Sequence, residues 1–221
     1  PKYKVGVTSL LNPNFDKARI IVAESKDVIT SIQKTKSYII YATSNGLTKE
    51  KHLIDPKTLA TKKLLLPQGV NGSSPFNATL NNRLIVYNTN WLSPYSIYEY
   101  DVSKNTSAKS KWFDMSGSFP DFSKDFAIKE VDVKSHDGVL VPLSILYQKN
   151  IILDGNAPCY LTGYGAYSMS QQPGFIDVMA ILLEQGCSIA FAHVRGGGEK
   201  GEEWHKAGMK TTKPNTWKDF I

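Results

Sequence analysis

The sequence predicts two structural classes in series: the C-terminal blades of a β-propeller, then the N-terminal part of an α/β domain. Three observations predict this. Turn signals recur at short intervals through residues 1–118, with no helical periodicity between them. A strand-and-turn phrase repeats after 46 positions, from Asp55 to Asp101. From Pro158 onward the chain reads strand, glycine loop, apolar helix, strand, glycine loop.

In the first part, short β-branched or aromatic runs such as Tyr38-Ile39-Ile40-Tyr41, Leu84-Ile85-Val86-Tyr87 and Ile97-Tyr98-Glu99-Tyr100 predict strands. Ser44-Asn45-Gly46, Asp55-Pro56-Lys57-Thr58, Asn81-Asn82 and Ser103-Lys104-Asn105-Thr106 predict the turns between them. Leu53-Ile54-Asp55 and Glu99-Tyr100-Asp101 each end a strand in an aspartate before a polar turn, and a further run follows each (Leu64-Leu65-Leu66; Lys111-Trp112-Phe113). A period of 40–50 residues with about four strands per unit is that of propeller blades, which must stack because one blade cannot cover both its faces. A β-sandwich has similar turn spacing and stays open as the alternative.

The irregular stretch Phe119–Phe126 is the expected boundary, giving domains at 1–118 and 119–221. Ile128–Val133 and Val139–Tyr147 then predict a hairpin closed by Ser135-His136-Asp137-Gly138, with His136 a turn residue. A βαβ unit follows: a buried strand at Pro158–Leu161, a helix at Phe175–Gln185 and a buried strand at Cys187–Val194. Phe175, Met179, Leu182 and Leu183 share one helical face, and Gly186 is the C-cap residue.

Composition sets limits. A chain of 221 residues with 41% hydrophobic and 21% charged residues buries a sizeable core. Its net charge of +6 is dispersed without a basic tract, which argues against a nucleic-acid partner. No apolar run reaches membrane-spanning length, and no signal peptide is present, although a start at Pro1 reads as a cut edge. Cys159 and Cys187 read as buried thiols, and the absence of a disulfide framework favours a cytoplasmic over a periplasmic location.

The chemistry sits in the glycine loops. Gly163-Tyr164-Gly165-Ala166-Tyr167 leaves a strand directly, and its glycines let backbone approach a ligand closely. In hydrolases of this layout such a loop supplies an oxyanion donor, a part the Tyr164 hydroxyl can play; the plainer reading is an aromatic packed on a tight turn. Arg195-Gly196-Gly197-Gly198-Glu199 ends the second strand. Glu199, Glu202 and Glu203 oppose an anion there, so a phosphate cradle is excluded and an Arg195–Glu199 pair is expected to fix the loop. His193 and His205 read as structural, and no metal-ligand spacing or cofactor motif occurs. Neither does Gly-x-Ser-x-Gly, the elbow of a nucleophilic serine.

Gly163–Tyr167, Ala192–Glu199, Trp204-His205 and Lys213–Ile221 together closely resemble the prolyl oligopeptidase family of serine peptidases, its oligopeptidase B branch in particular. Weaker similarity reaches back through Asn45-Gly46-Leu47 and Leu92-Ser93-Pro94. The resemblance implies a seven-bladed propeller joined to an α/β-hydrolase domain acting on short peptides. It implies oxyanion stabilisation by Tyr164, a substrate-pocket role for Tyr167, and no cofactor. The family's serine, aspartate and histidine fall beyond Ile221, so the resemblance implies a fragment that is inactive alone, with Asp219-Phe220 opening the helix towards the nucleophile. Acidic residues that select basic pairs in oligopeptidase B are replaced by Gln172-Pro173-Gly174, which leaves cleavage after proline or a single basic residue. A catalytically dead remnant serving as an interaction module is the alternative.

Overall fold

In the computed structural model, residues 2–45, 49–66, 76–79, 81–88, 90–114, 117–152 and 154–221 are described, with the backbone alone at 78 and 112–114. Gly46, Leu47 and the side chains of Trp112 and Phe113, singled out above, lie outside the described residues.

A short antiparallel pair, β1 (Val5–Val7) and β2 (Arg19–Val22), comes first. Two four-stranded antiparallel meanders follow. The first runs β3 (Val28–Lys34), β4 (Ile39–Ser44), β5 (Lys49–Ile54) and β6 (Thr61–Lys63). The second runs β7 (Phe76–Ala78), β8 (Arg83–Asn88), β9 (Ser96–Asp101) and β10 (Thr106–Asp114). Among the described residues no helix interrupts them.

The repeat is structural. Asp55 and Asp101 occupy the same corner, between the third and fourth strand of each meander. Asp55 Oδ1 accepts from the amides of Lys57 and Thr58, at 2.8 and 3.4 Å. Asp101 Oδ1 accepts from those of Ser103 and Lys104, at 3.0 and 3.1 Å. Four residues on, Leu59 and Asn105 turn the chain through positive φ, 61° and 55°. The fourth strand starts sooner than Leu64-Leu65-Leu66 suggested. β6 ends at Lys63, and Leu64 instead drops its side chain into the core.

The meanders pack face to face. Ile40, Leu53 and Leu64 meet Phe76, Leu84, Val86 and Tyr100 in one cluster. Polar contacts tie its rim: Asn82 Oδ1 accepts from the Ser37 amide (2.8 Å) and the Thr35 hydroxyl (3.0 Å), and Gln33 Nε2 donates to the Phe76 carbonyl (2.8 Å).

The third sheet is β11 (Phe126–Lys134), β12 (Leu140–Gln148), β13 (Cys159–Gly163) and β14 (Ser188–Ala192), ordered β11-β12-β14-β13. Only β13 and β14 are parallel, and helix α1 (Ala180–Glu184) lies in the crossover between them. Both faces are covered in part. On one, Leu146, Ile189 and Phe191 pack against Leu183 and Ala180 of α1, with Trp91, Phe122 and Phe126. On the other, Val141, Ala192 and Val194 pack against Trp204 of α2 (Glu202–Lys206), and Phe220 beyond α3 (Pro214–Lys218) completes the cluster.

Three expectations need correction. The helix spans Ala180–Glu184, not Phe175–Gln185, and Leu182 is exposed while Ile176, Ala180 and Leu183 are buried. Phe175 instead packs on Phe119 and Phe122 ahead of the helix, a tertiary demand that outweighs periodicity. Gly186 does end the helix with φ +79°. The first strand of the βαβ unit is a half-exposed sheet edge, Cys159, Tyr160 and Leu161 being exposed, because β13 pairs on one side only. Cys159 is therefore not buried, and Cys187 is only half-buried.

Candidate functional site

The two glycine loops leave the C-terminal ends of the parallel neighbours β13 and β14, so strand pairing alone brings them side by side. Their backbones then touch. A β-carbon at Gly165 would lie 2.5 Å from the Arg195 carbonyl oxygen, and one at Gly196 would lie 2.2 Å from the Gly165 carbonyl oxygen. Gly196 also has φ +100°. No other residue satisfies both the approach and the backbone conformation there.

Arg195 organises the loops, and not through Glu199 as expected. Its guanidinium, 4% exposed, grips the carboxylate of Asp219, which is wholly buried. Nη2 lies 2.6 Å from Asp219 Oδ1, Nε lies 3.0 Å from Oδ2, and the Arg195 amide donates to Oδ2 at 2.9 Å. The other edge of the guanidinium reaches Asp137 in the β11–β12 hairpin, at 2.5 and 3.2 Å. Ser135 Oγ, from the same hairpin, donates to Asp219 at 2.7 Å. One arginine thus joins the hairpin, the end of β14 and the chain after α3. Hydrogen bonds from Arg195 hold the Asp137 carboxyl down to about 2, and those carboxylates push the guanidinium further up.

Glu199 points elsewhere. It is buried, its Oε1 accepts from the Gln171 amide at 2.9 Å, and it lies 3.7 Å from His193 Nδ1. It fixes the segment after Tyr167, not Arg195.

The C-terminal block clamps both loops. Lys213 Nζ donates to the Gly165 carbonyl at 2.5 Å, and Thr216 Oγ1 donates to the Arg195 carbonyl at 2.7 Å. Asp219 is the C-cap residue of α3, its amide donating to the Asn215 carbonyl. His205 on α2 sits with Nδ1 2.8 Å from the Gly196 carbonyl and 3.0 Å from the Ser168 amide, a structural position, as expected.

Tyr164 and Tyr167 stand on the outside of this clamp, 45% and 81% exposed. Tyr167 and Ser168 have φ of 54° and 56°, a strained turn for non-glycine residues that aims Tyr167 outward. Among the described residues the Tyr164 hydroxyl makes no hydrogen bond, leaving it free to donate. A cavity of about 540 Å³ opens beneath, under α3, lined by Val141, Leu143, Leu161, Ala192 and Phe220; neither tyrosine lines it. No group of metal-ligating side chains occurs among the described residues.

Sequence reading missed Asp137, Asp219, Lys213 and Thr216. The signal is Arg195 itself: an arginine at the end of a buried strand requires carboxylates, and the nearest in sequence, Glu199, is not the one it meets.

This architecture matches known proteins. The profile described as the prolyl oligopeptidase family matches residues 173–221. Over the whole chain, the prolyl endopeptidase of Elizabethkingia meningoseptica is 28% identical, and the dual function macrocyclase-peptidase POPB of Galerina marginata is 29% identical. The chain spans 31% and 30% of those relatives, about a third of their length. Among solved structures, one from a study of two prolyl endopeptidases superposes with a TM-score of 0.87 over the whole chain and 32% of its own, at 25% identity. Oligopeptidase B from Trypanosoma brucei superposes with a TM-score of 0.79 over 92% of this chain and 30% of its own, at 24% identity. Sequence and fold thus agree, from the first meander to the clamp at Thr216 and Asp219, in making the chain similar to the prolyl oligopeptidase family, whose profile its residues 173–221 match.

Proposed function

We propose that this chain is the middle portion of a serine peptidase that hydrolyses short peptides by acyl transfer. The meanders are blades of a propeller that screens substrates by size, and the mixed sheet begins its α/β-hydrolase domain at about residue 119. The observation that carries this reading is the clamp of two glycine loops with a half-exposed Tyr164, its hydroxyl unengaged among the described residues, beside it. A phenol on a backbone that cannot shift is a donor set in advance for a developing oxyanion. Tyr167, held outward by its turn, lines the pocket for the residue before the scissile bond.

The serine, aspartate and histidine of the triad are proposed to lie on further polypeptide; relatives about three times as long support this. No cofactor is required, since acyl transfer needs only a nucleophile, a base and oxyanion donors. Cleavage after proline is the preferred specificity. The Elizabethkingia prolyl endopeptidase aligns over the whole chain at 28% identity, whereas oligopeptidase B aligns over 92% of it at 24%. The neutral Gln172-Pro173-Gly174 stretch agrees, as it holds no carboxylate to attract a basic side chain.

The test is to read the gene past the codon for Ile221, express the whole product and compare fluorogenic peptides ending in proline and arginine. A continuing frame with a Gly-x-Ser-x-Gly elbow and post-proline turnover supports the reading. An authentic stop codon, or a whole product inert towards both peptides, refutes it.

A further inference from the structure

The sheet face that carries Phe191 turns polar at its other end, at Ser144 and His193, where it meets the first meander. His193 is 4% exposed, and its Nε2 lies 2.8 Å from Ser144 Oγ. The single hydroxyl proton of Ser144 goes to Glu130 Oε2, 2.7 Å away, because a carboxylate can only accept. His193 must therefore donate from Nε2, and in the neutral ring Nδ1 is left as an acceptor. Nδ1 faces Glu199, also an acceptor, at 3.7 Å. His193 Nδ1, Glu199 Oε2 and Gln171 Oε1 are all buried without a partner among the described residues. Three buried acceptors on neighbouring residues are thus left without a donor. They line one small cavity, about 30 Å³, with Thr30, Ser44 and Lys49 of the first meander on its far side.

A cavity of that size holds one water, and a water brings two donors. Lys49 Nζ donates to the Gln172 side chain, so the meander's cation grips the residue next to Gln171, whose amide binds Glu199. Burial lowers the Lys49 ammonium's pKa, against the field of Glu199. The charged or titratable groups facing the cavity are Lys49, Glu130, His193 and Glu199.

We propose that this cavity binds a single water, donating to His193 Nδ1 and Glu199 Oε2. With Lys49 it forms a polar latch that seats the first meander on the segment from Tyr167 to Gln172. The inference rests on the fold and not on the catalytic reading. A latch of this kind makes the order of that segment depend on the meander being seated. Unpaired acceptors would otherwise cost stability at a buried interface.

Two measurements on the 221-residue chain test it. A crystal structure fine enough to order water should show one between Glu199 and His193; a dry cavity, or a protonated Nδ1 bonded directly to Glu199, overturns the water site. Hydrogen–deuterium exchange, at dilutions where the chain is monomeric, should speed up about 10-fold at residues 168–172 in Lys49→Met. The exposed control Lys62→Met should leave it as it was. Unchanged exchange in a folded Lys49→Met variant overturns the latch; should that variant fail to fold, Lys49→Gln is read against the same control.

Discussion

At the scale of single residues, Arg195 shows why buried charge is useful only when fully matched. Its guanidinium is surrounded by Asp219, Asp137 and Ser135, and removing one buried partner leaves an uncompensated charge. Asp219→Asn is expected to destabilise the chain by about 3–5 kcal/mol, read by urea denaturation. A loss below about 1 kcal/mol contradicts the hub. Asp137 adds a pH dependence. Its folded value near 2 lies below the unfolded value of about 3.9. Its contribution is therefore complete above about pH 3.9 and lost as pH falls through about 2. In Asp137→Asn that part of the acid limb should disappear.

Lys51 is the basic counterpart. It is 2% exposed inside the first meander, its Nζ 5.4 Å from the Phe76 ring centroid, and burial pushes its ammonium down to about 8. The unfolded chain then binds more protons between about pH 8 and 10.4, so stability from this group rises with pH across that window. The difference in unfolding free energy between the native chain and Lys51→Met should change over that window and be flat below it. A difference flat throughout contradicts the assignment.

At the scale of elements, the seam between the second meander and the mixed sheet depends on one loop. Trp91 stacks on Phe191 with ring centroids 4.1 Å apart, its carbonyl accepts from the Ile176 amide, and the Leu92 carbonyl accepts from the Phe122 amide. Trp91→Ala should cost about 3–5 kcal/mol, since the cavity lies between two sheets that cannot both collapse. Single-step unfolding with unchanged midpoint contradicts this. The same elements show how far sequence reaches. Local chemistry was legible: the Asp55 and Asp101 corners, the Ser135–Gly138 turn and Gly186 all fell where turn residues require. What stayed hidden was set across distance. Phe175 was drawn off the helix by Phe119 and Phe122, and Arg195 chose carboxylates 24 and 58 positions away over one four positions away. Of the site, the glycine loops were readable from the sequence; the residues that clamp them were not.

At the scale of the whole molecule, β13 is a sheet edge carrying exposed Tyr160 and Leu161, with Trp217 and Ile221 exposed elsewhere. Such an edge recruits further strands. The 221-residue chain should self-associate with rising concentration in sedimentation experiments, and a monomer at all accessible concentrations contradicts this. Two stacked meanders and a clamp of paired glycine loops then make sense as one rigid support. Its purpose, on the proposed reading, is to hold a single phenol still. The deciding measurement is steady-state kinetics of the whole gene product and its Tyr164→Phe variant on a post-proline peptide. Loss of one oxyanion donor predicts a fall in kcat of about 100- to 1,000-fold with little change in KM. An unchanged kcat would mean that Tyr164 does not touch the reaction.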